Sequence, residues 1–344
     1  MLARVAENLY WLGRYLERAE NMSRLVDVTR LAISEHAVES DPWASVLETL
    51  GAEESFAEAS AVDESLTAER FVLDAPESEA SIVSTVRKAR TLAVELREHT
   101  SREVFEEINR MYLGLVGRSP TAGGRADITR EIRRSVATIY GLFENTVLQT
   151  EGTNWFRLGQ MFERADMTSR IVDAKYFIAL PSTEDVGGTF DRYQWRGILL
   201  SASALEAYRK SLRRPIRLDY VLDLLFFNAD FPRSLLFCVN EIAAEFSDAT
   251  RHAPPNSTLA AARELSMLRL ELGALNGSTV VERGLHEFID DFQSRLGRID
   301  TALRDNLFNA TPGGGERTRP MSRVSATSSL QGSDSVAPFR AGEE

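Results

Sequence analysis

Apolar residues recur at helical spacing along most of the chain. Leu9, Leu12, Leu16, Ala19 and Val26 follow one another at intervals of three, four or seven, which predicts an amphipathic helix. No long stretch alternates between apolar and polar positions, as a half-buried strand would. The helical spacing returns in residues 82–98, 128–148, 194–211, 259–275 and 281–307. The chain is therefore predicted to be all-α, with about ten helices.

Helix-breaking residues separate these segments. They are Asp41-Pro42, Ser119-Pro120, Gly123-Gly124, residues 181–188, Arg214-Pro215 and Pro254-Pro255. Thr100 or Ser101 is predicted to cap the helix that follows it. Long helices joined by short turns favour an antiparallel bundle.

A segment of twenty residues near the N-terminus returns in the middle of the chain. Residues 8–27 and 154–173 are identical at ten positions, at a constant offset of 146. A solvated helix face gives charged residues no physical reason to match, so we expect them to face each other or one shared pocket. The repeat predicts a duplicated bundle with pseudo-two-fold symmetry, with halves at residues 1–150 and 151–310. The matched pairs include Gly13/Gly159, Glu17/Glu163, Arg18/Arg164, Arg24/Arg170 and Asp27/Asp173.

The repeated polar residues form one stripe when each copy is placed on a helical wheel. At about 100° per residue, the stripe of each copy is about 80° wide. Arg18 and Arg164 lie about 100° to the side of the first glutamate and are predicted to point elsewhere. The stripes are Gly13, Glu17, Glu20, Arg24 and Asp27 in the first copy, and Gly159, Glu163, Asp166, Arg170 and Asp173 in the second.

Gly13 and Gly159 lie inside predicted helices. Glycine in a helix interior costs roughly 1 kcal/mol relative to alanine. A glycine at the same place in both copies therefore predicts that another backbone or a ligand approaches closely there.

Three interpretations of the stripe are open. The first is a buried ion-pair network, in which Glu17 and Arg24 pair with Arg170 and Glu163. The second is a site for a polar or zwitterionic molecule such as an amino acid or peptide. The third is a site for Mg²⁺ or Ca²⁺, since each stripe has three carboxylates to one arginine. A di-iron site would need Glu-x-x-His, which the sequence lacks, and no metal or cofactor is predicted.

Residues 230–234 predict the start of a buried helix. Asp230 can cap it and Pro232 suits its first turn. Arg233 is then repelled by the helix dipole, so we expect it to pair with an acid such as Glu17 or Glu163, or to meet an anionic ligand.

Charge and cysteine content exclude several classes of protein. A net charge of −11 argues against nucleic-acid binding, which needs a basic face. Cys238 is the single cysteine and lies in an apolar run, so it predicts a buried, inert thiol. The N-terminus resembles no signal peptide, and the most apolar stretch, residues 218–240, is too interrupted by charges to span a bilayer. These features favour a cytoplasmic protein.

The composition of the C-terminal segment and the motifs that the sequence lacks also bear on function. Residues 311–344 are rich in Gly, Ser, Pro and Arg and are predicted to be a disordered tail. The sequence contains no Walker A loop, G-x-G-x-x-G, G-x-S-x-G or H-E-x-x-H motif. No standard catalytic machinery is therefore visible.

Two longer segments resemble the alpha-E family, a group of bacterial helical domains with paired Glu-Arg motifs. They are L-A-R-V-A-E-N-L-Y-W-L-G-R-Y-L-E-R-A-E from Leu2 and E-G-T-N-W-F-R-L-G-Q-M-F-E-R-A-D-M-T-S-R from Glu151. Residues 193–195 and 231–234 are also similar. The resemblance implies a gene neighbourhood with a circularly permuted ATP-grasp ligase and often a transglutaminase-like protease, in a peptide-synthesis or peptide-tagging system.

These observations together predict a non-catalytic helical partner of an ATP-grasp-type amide ligase. It would bind the ligase, a peptide, or both through a cleft at the paired Glu-Arg motifs. One alternative is an enzyme in which Glu17 or Glu163 acts as general acid/base while Arg24, Arg170 or Arg233 holds a carboxylate. That role needs a raised carboxyl pKa, which burial can supply. The other alternative is a purely structural assembly scaffold.

Overall fold

The structure, a computed structural model, describes residues 1–35, 41–116, 122–176 and 188–308. These residues form fifteen helices and no strand, which confirms the all-α prediction for this part of the chain. The prediction of about ten helices is wrong. Six helices have ten residues or fewer, and segments this short carry too few turns for a clear apolar period.

Seven of the described helices precede residue 147. Up to residue 146 they are α1 (Ala3–Ser34), α2 (Pro42–Leu50), α3 (Glu53–Val62), α4 (Ala68–Asp74), α5 (Ile82–Glu95), α6 (Arg102–Val116) and α7 (Ala122–Thr146). Then come α8 (Glu151–Tyr176), α9 (Thr189–Ser201), α10 (Leu205–Ser211), α11 (Leu218–Leu222), α12 (Leu235–Ala249), α13 (Pro255–Ala274), α14 (Gly277–Arg283) and α15 (Leu285–Leu303). Helices α11 and α15 each continue into a π-helical turn, Asp223–Phe227 and Arg304–Phe308.

Helices α1 and α8, which carry the two repeated segments, form the centre of the core. Leu9, Tyr10, Leu12, Leu16 and Met22 of α1 are all buried and point in different directions around its axis. A helix that is apolar on most sides has to be surrounded by others. Helix α1 packs on α5, α7 and above all α8, and α8 also packs on α12 and α15.

Two segments predicted as single helices are divided. Residues 194–211 form α9 and α10, separated at Ser203, whose φ is 55°. Residues 281–307 span the end of α14 and all of α15, with Gly284 between them at a φ of 105°. Positive φ interrupts helical geometry, and glycine tolerates it best. The apolar period runs through both breaks, so periodicity alone could not find them.

Side-chain caps fix several helix starts. The Ser101 hydroxyl accepts a hydrogen bond from the Val104 N–H at 3.2 Å, which confirms the predicted cap. The predicted cap at Asp230 is wrong. Ser234 caps α12 instead, accepting from the Phe237 N–H at 3.0 Å, and the helix begins at Leu235. Arg233 therefore lies just ahead of the helix and not in its first turn.

None of the described helices is long and apolar enough to span a bilayer. The tail predicted at residues 311–344 lies outside the described residues and stays a prediction.

Candidate functional site

The two repeated glycines mark the point where α1 and α8 touch. A Cβ atom on Gly13 would lie 2.1 Å from the Phe156 carbonyl oxygen, and one on Gly159 would lie 1.9 Å from the Tyr10 carbonyl oxygen. Real Cβ atoms are never found so close to another heavy atom. The prediction of close backbone approach is confirmed. The contacts are reciprocal, because Tyr10 and Phe156 also occupy matching positions of the repeat.

One turn further along, each glutamate of one repeat pairs with the arginine of the other. Arg164 donates from Nε to Glu17 Oε1 at 2.9 Å and from Nη2 to Oε2 at 2.8 Å. Arg18 donates from Nε to Glu163 Oε1 at 2.5 Å and from Nη2 to Oε2 at 3.0 Å. Both pairs are bidentate, the strongest form of the Arg–carboxylate interaction. Both glutamates are fully buried.

Each glutamate also receives further donors. Arg233 Nη1 lies 3.0 Å from Glu17 Oε1, and the Tyr140 hydroxyl donates to Glu17 Oε2 at 2.8 Å. Arg14 Nε donates to Glu163 Oε2 at 2.8 Å. Each of these two buried carboxylates therefore faces two guanidinium groups, which offsets the cost of taking its charge out of water. We call this set of six residues the ER network: Arg14, Glu17, Arg18, Glu163, Arg164 and Arg233.

Electrostatics keep both glutamates ionised. Burial by itself would raise the pKa of Glu17, but the charges of Arg164 and Arg233 outweigh it and hold that pKa far below the ordinary value. Burial would also raise the pKa of Glu163, but the charges of Arg18 and Arg14 outweigh burial, and the pKa of Glu163 is lowered as well. A general acid/base near neutral pH needs a raised carboxyl pKa. Neither glutamate meets that requirement.

Two expectations about the stripe are wrong. Arg18 and Arg164 were predicted to point elsewhere, yet they form the central pairs. Glu17 was expected to pair with Arg170, but its partners are Arg164 and Arg233. The helical wheel gives only the direction of Cβ. An arginine side chain is long enough to reach round the helix when the two backbones touch at Gly13 and Gly159.

The other stripe residues of α1 bind partners outside the central Glu-Arg pairs. Glu20 accepts from Arg24 one turn away and from Arg233, which also satisfies the expectation that Arg233 meets an acid. Asp27 is bound by Thr129 and Arg133 of α7.

The matching residues of α8 turn to other neighbours. Arg170 donates to Asp166 of its own helix at 3.0 Å, and Asp173 contacts His286 of α15 at 2.9 Å. The acids of the two stripes therefore do not converge on one ligand. In the described part of the chain, no three His, Cys, Asp or Glu side chains are placed to hold a metal ion.

Sequence reasoning missed Arg14 and Tyr140. The repeat could not reveal Arg14, because the matching position is Gln160, whose amide lies 3.5 Å from Glu17 Oε2. Its spacing of four residues from Arg18 on one helix was the available signal. Tyr140 lies on α7, and no local pattern connects it to Glu17. Cys238 is buried beside the network, and burial raises the pKa of its thiol to about 12, so the thiol is protonated and inert.

A further acid with a shifted pKa, Glu245, lies half-buried on α12 outside the ER network. Its side chain is 13% exposed and lies 3.8 Å from Arg157 of α8. Burial raises the pKa of Glu245 to about 7, Arg157 opposes the rise, and the nearby carboxylates Glu241, Asp248 and Glu144 add to it. The folded protein therefore binds a proton at Glu245 that the unfolded chain releases near pH 4.5.

We expect the free energy of unfolding to rise as the pH falls from 8 towards 5. Protonation of Glu245 below about pH 7 removes the cost of its buried charge. Below about pH 4.5 stability falls again. Glu17 and Glu163 have lowered pKa values in the folded protein, so the unfolded chain binds protons at these residues at a higher pH than the folded protein does. Solvent screens this half-buried charge, so Glu245→Gln should raise stability at pH 8 by only about 1 kcal/mol and flatten the slope above pH 5. Urea unfolding at several pH values checks this, with exposed Glu206→Gln as the control; an unchanged slope in Glu245→Gln contradicts it.

The fold and the ER network define an all-helical domain whose core helices are joined by two Glu-Arg motifs. The family model described as "a predicted alpha-helical domain with a conserved ER motif", named Alpha-E, matches residues 1–308. The chain belongs to the Alpha-E family, as its resemblance implied. Glu17-Arg18 and Glu163-Arg164 are the two Glu-Arg sequences of the internal repeat, and each pairs with the other one.

The curated relatives are longer proteins. The chain is similar to the uncharacterized protein Rv2567 of Mycobacterium tuberculosis, with 23% identity over 269 residues. The match covers 71% of this chain and 30% of that protein. The uncharacterized protein Mb2597 of Mycobacterium bovis matches with the same identity and coverage. The chain thus spans about 30% of the length of these relatives. No solved structure matches the chain.

Proposed function

We propose that this protein is a non-catalytic helical partner of an ATP-grasp-type amide ligase, binding the ligase, its peptide, or both. The observation that carries the proposal is the state of Glu17 and Glu163. Both are fully buried, both are bound by the arginine of the other motif, and both have lowered pKa values. The motif that names the family therefore supports a role in architecture more than one in proton transfer. A transglutaminase-like protease is a second partner that the family context suggests.

The length of the relatives supports a role in association. In both mycobacterial proteins, about 70% of the chain lies outside the matched segment. Joining two domains in one chain gives each a high effective concentration around the other. We infer that the domain contacts its partner through a non-covalent surface.

We also propose that the fold arose by duplication, with halves at residues 1–150 and 151–310 related by pseudo-two-fold symmetry. The reciprocal contacts of the two repeats support this. Gly13 and Gly159 each face the backbone of the other helix, and each glutamate faces the arginine of the other motif. An axis between α1 and α8 would account for all four contacts.

We propose that the ligase or its peptide binds on the surface formed by the partly exposed arginines at the edge of the ER network. The buried glutamates offer no access, which argues against a cleft at the carboxylates themselves. Arg18 and Arg170 have side chains that are 28% and 30% exposed. The positive charges of these two arginines repel each other, and an anion bound between them would relieve that repulsion. A carboxylate of the peptide or of the ligase is the group that such a pair recognises.

Co-purification with the ATP-grasp ligase tests this proposal. We expect a stable complex, and we expect Arg170→Gln to weaken it at least tenfold without unfolding the protein, because Arg170 pairs only one turn away with Asp166. Arg209→Gln, an exposed arginine on α10, is the matched control. Absence of both a complex and any change in ligase activity contradicts the partnership. If the affinity of the complex is unchanged by Arg170→Gln, the result supports the purely structural scaffold, in which the arginines stabilise only the fold.

A further inference from the structure

A groove runs between α6 and α7, away from the ER network. Its volume is about 410 Å³, within the range of sites that hold small molecules. Apolar side chains from both helices line it, together with charged groups of both signs. Its charged residues are Glu107, Arg110, Glu131 and Arg134, and its apolar residues include Met111, Leu115 and Ile132.

Glu107 is the unusual member of this lining. It is only 7% exposed, and its Oε2 accepts a hydrogen bond from Arg110. Its other oxygen, Oε1, is buried and has no hydrogen-bond partner among the described residues. A buried acceptor left without a donor costs about 1–3 kcal/mol, and more when it is charged. Oε1 is therefore the atom of the lining that can still accept a hydrogen bond.

The groove also offers a free positive charge. Arg134 of α7 is exposed, and its guanidinium forms no ion pair within the described residues. Met111, Leu115 and Ile132 provide an apolar surface in the same groove. One carboxylate oxygen without a donor, an exposed arginine and an apolar wall together match a zwitterion with an aliphatic side chain.

We propose that the groove between α6 and α7 binds a free amino acid with an aliphatic side chain. The ammonium group donates to Glu107 Oε1, and the carboxylate is held by Arg134. The aliphatic side chain packs on Met111 and Leu115. Because Oε1 is buried, Arg110, a flexible and mostly exposed side chain, has to shift aside before the ammonium group can reach that oxygen. This site does not depend on the proposed partnership with a ligase.

Isothermal titration with L-leucine tests the proposal directly. We expect saturable binding with a Kd of about 1 mM or tighter. Isoamylamine lacks the carboxylate and 4-methylpentanoate lacks the ammonium group, so each should bind at least about tenfold more weakly. Glu107→Gln should weaken leucine binding at least tenfold, while Glu103→Gln, exposed one turn earlier on α6, should leave it unchanged.

A second variant separates loss of binding from loss of fold. Gly114 lines the groove, and the nearest atom to a Cβ placed there is 4.0 Å away. Gly114→Leu should therefore fill the groove and abolish binding with an unchanged or higher Tm. Arg134→Gln should weaken leucine but leave isoamylamine unchanged. No saturable binding of leucine to the folded wild type, or equal binding by Glu107→Gln and Gly114→Leu, overturns the proposal.

Discussion

Gly13→Ala is expected to lower the free energy of unfolding by about 3 kcal/mol or more. The new Cβ would lie 2.1 Å from the Phe156 carbonyl oxygen, which is backbone and cannot move without displacing α8. The two helices would have to separate, and the bidentate pairs one turn away would lengthen with them. Gly159→Ala should have a similar effect, because its Cβ would meet the Tyr10 carbonyl at 1.9 Å. Urea unfolding followed by circular dichroism measures both.

Gly141→Ala is the matched control for this prediction. Gly141 lies inside α7, and no atom lies within 4 Å of a Cβ placed there. Alanine is the better helix former, so this variant should be as stable as the wild type or up to about 1 kcal/mol more stable. If Gly13→Ala and Gly141→Ala have equal stability, α1 and α8 do not touch at their glycines.

Glu17→Gln is expected to destabilise the protein by about 3–5 kcal/mol. The substitution preserves size, but it removes the charge and replaces one acceptor oxygen with an NH₂ group that cannot accept from these donors. Arg164 and Arg233 are then left buried with less counter-charge, and an uncompensated buried charge is what makes a broken pair costly. Thermal and urea unfolding measure the effect.

Exposed glutamates set the scale for that result. Glu206→Gln removes a surface pair with Arg209 and should change stability by less than about 0.5 kcal/mol. A Glu17→Gln protein of unchanged or higher stability, with lost binding or activity, would mean that the carboxylate is retained for function at a cost to the fold.

The sequence was sufficient for the architecture of the centre. Helical spacing predicted α5, α7 and α13 closely, because each is long enough for several turns of apolar period. The repeat identified the helices at the core, and a glycine inside each copy predicted their contact. These conclusions rest on backbone geometry, which local sequence encodes well.

Pairing among side chains was harder to predict. The wheel placed Arg18 and Arg164 to the side, because it contains neither the length of the side chain nor the distance between helices. Tyr140 and Arg233 reach Glu17 from distant parts of the chain, and only the folded core brings them together. The short helices of residues 42–74 and the breaks at Ser203 and Gly284 depend on local turns that leave the apolar period unchanged.

The central claim is that each Glu-Arg motif is completed by the other one, and double-mutant cycles test it most directly. One cycle combines Glu17→Gln with Arg164→Gln, which join the two motifs; the other combines Glu17→Gln with Arg18→Gln, which share a single motif. We predict a coupling energy of about 2–3 kcal/mol for Glu17 with Arg164 and less than about 1 kcal/mol for Glu17 with Arg18. Equal couplings, or a larger one within the single motif, would contradict the reciprocal pairing.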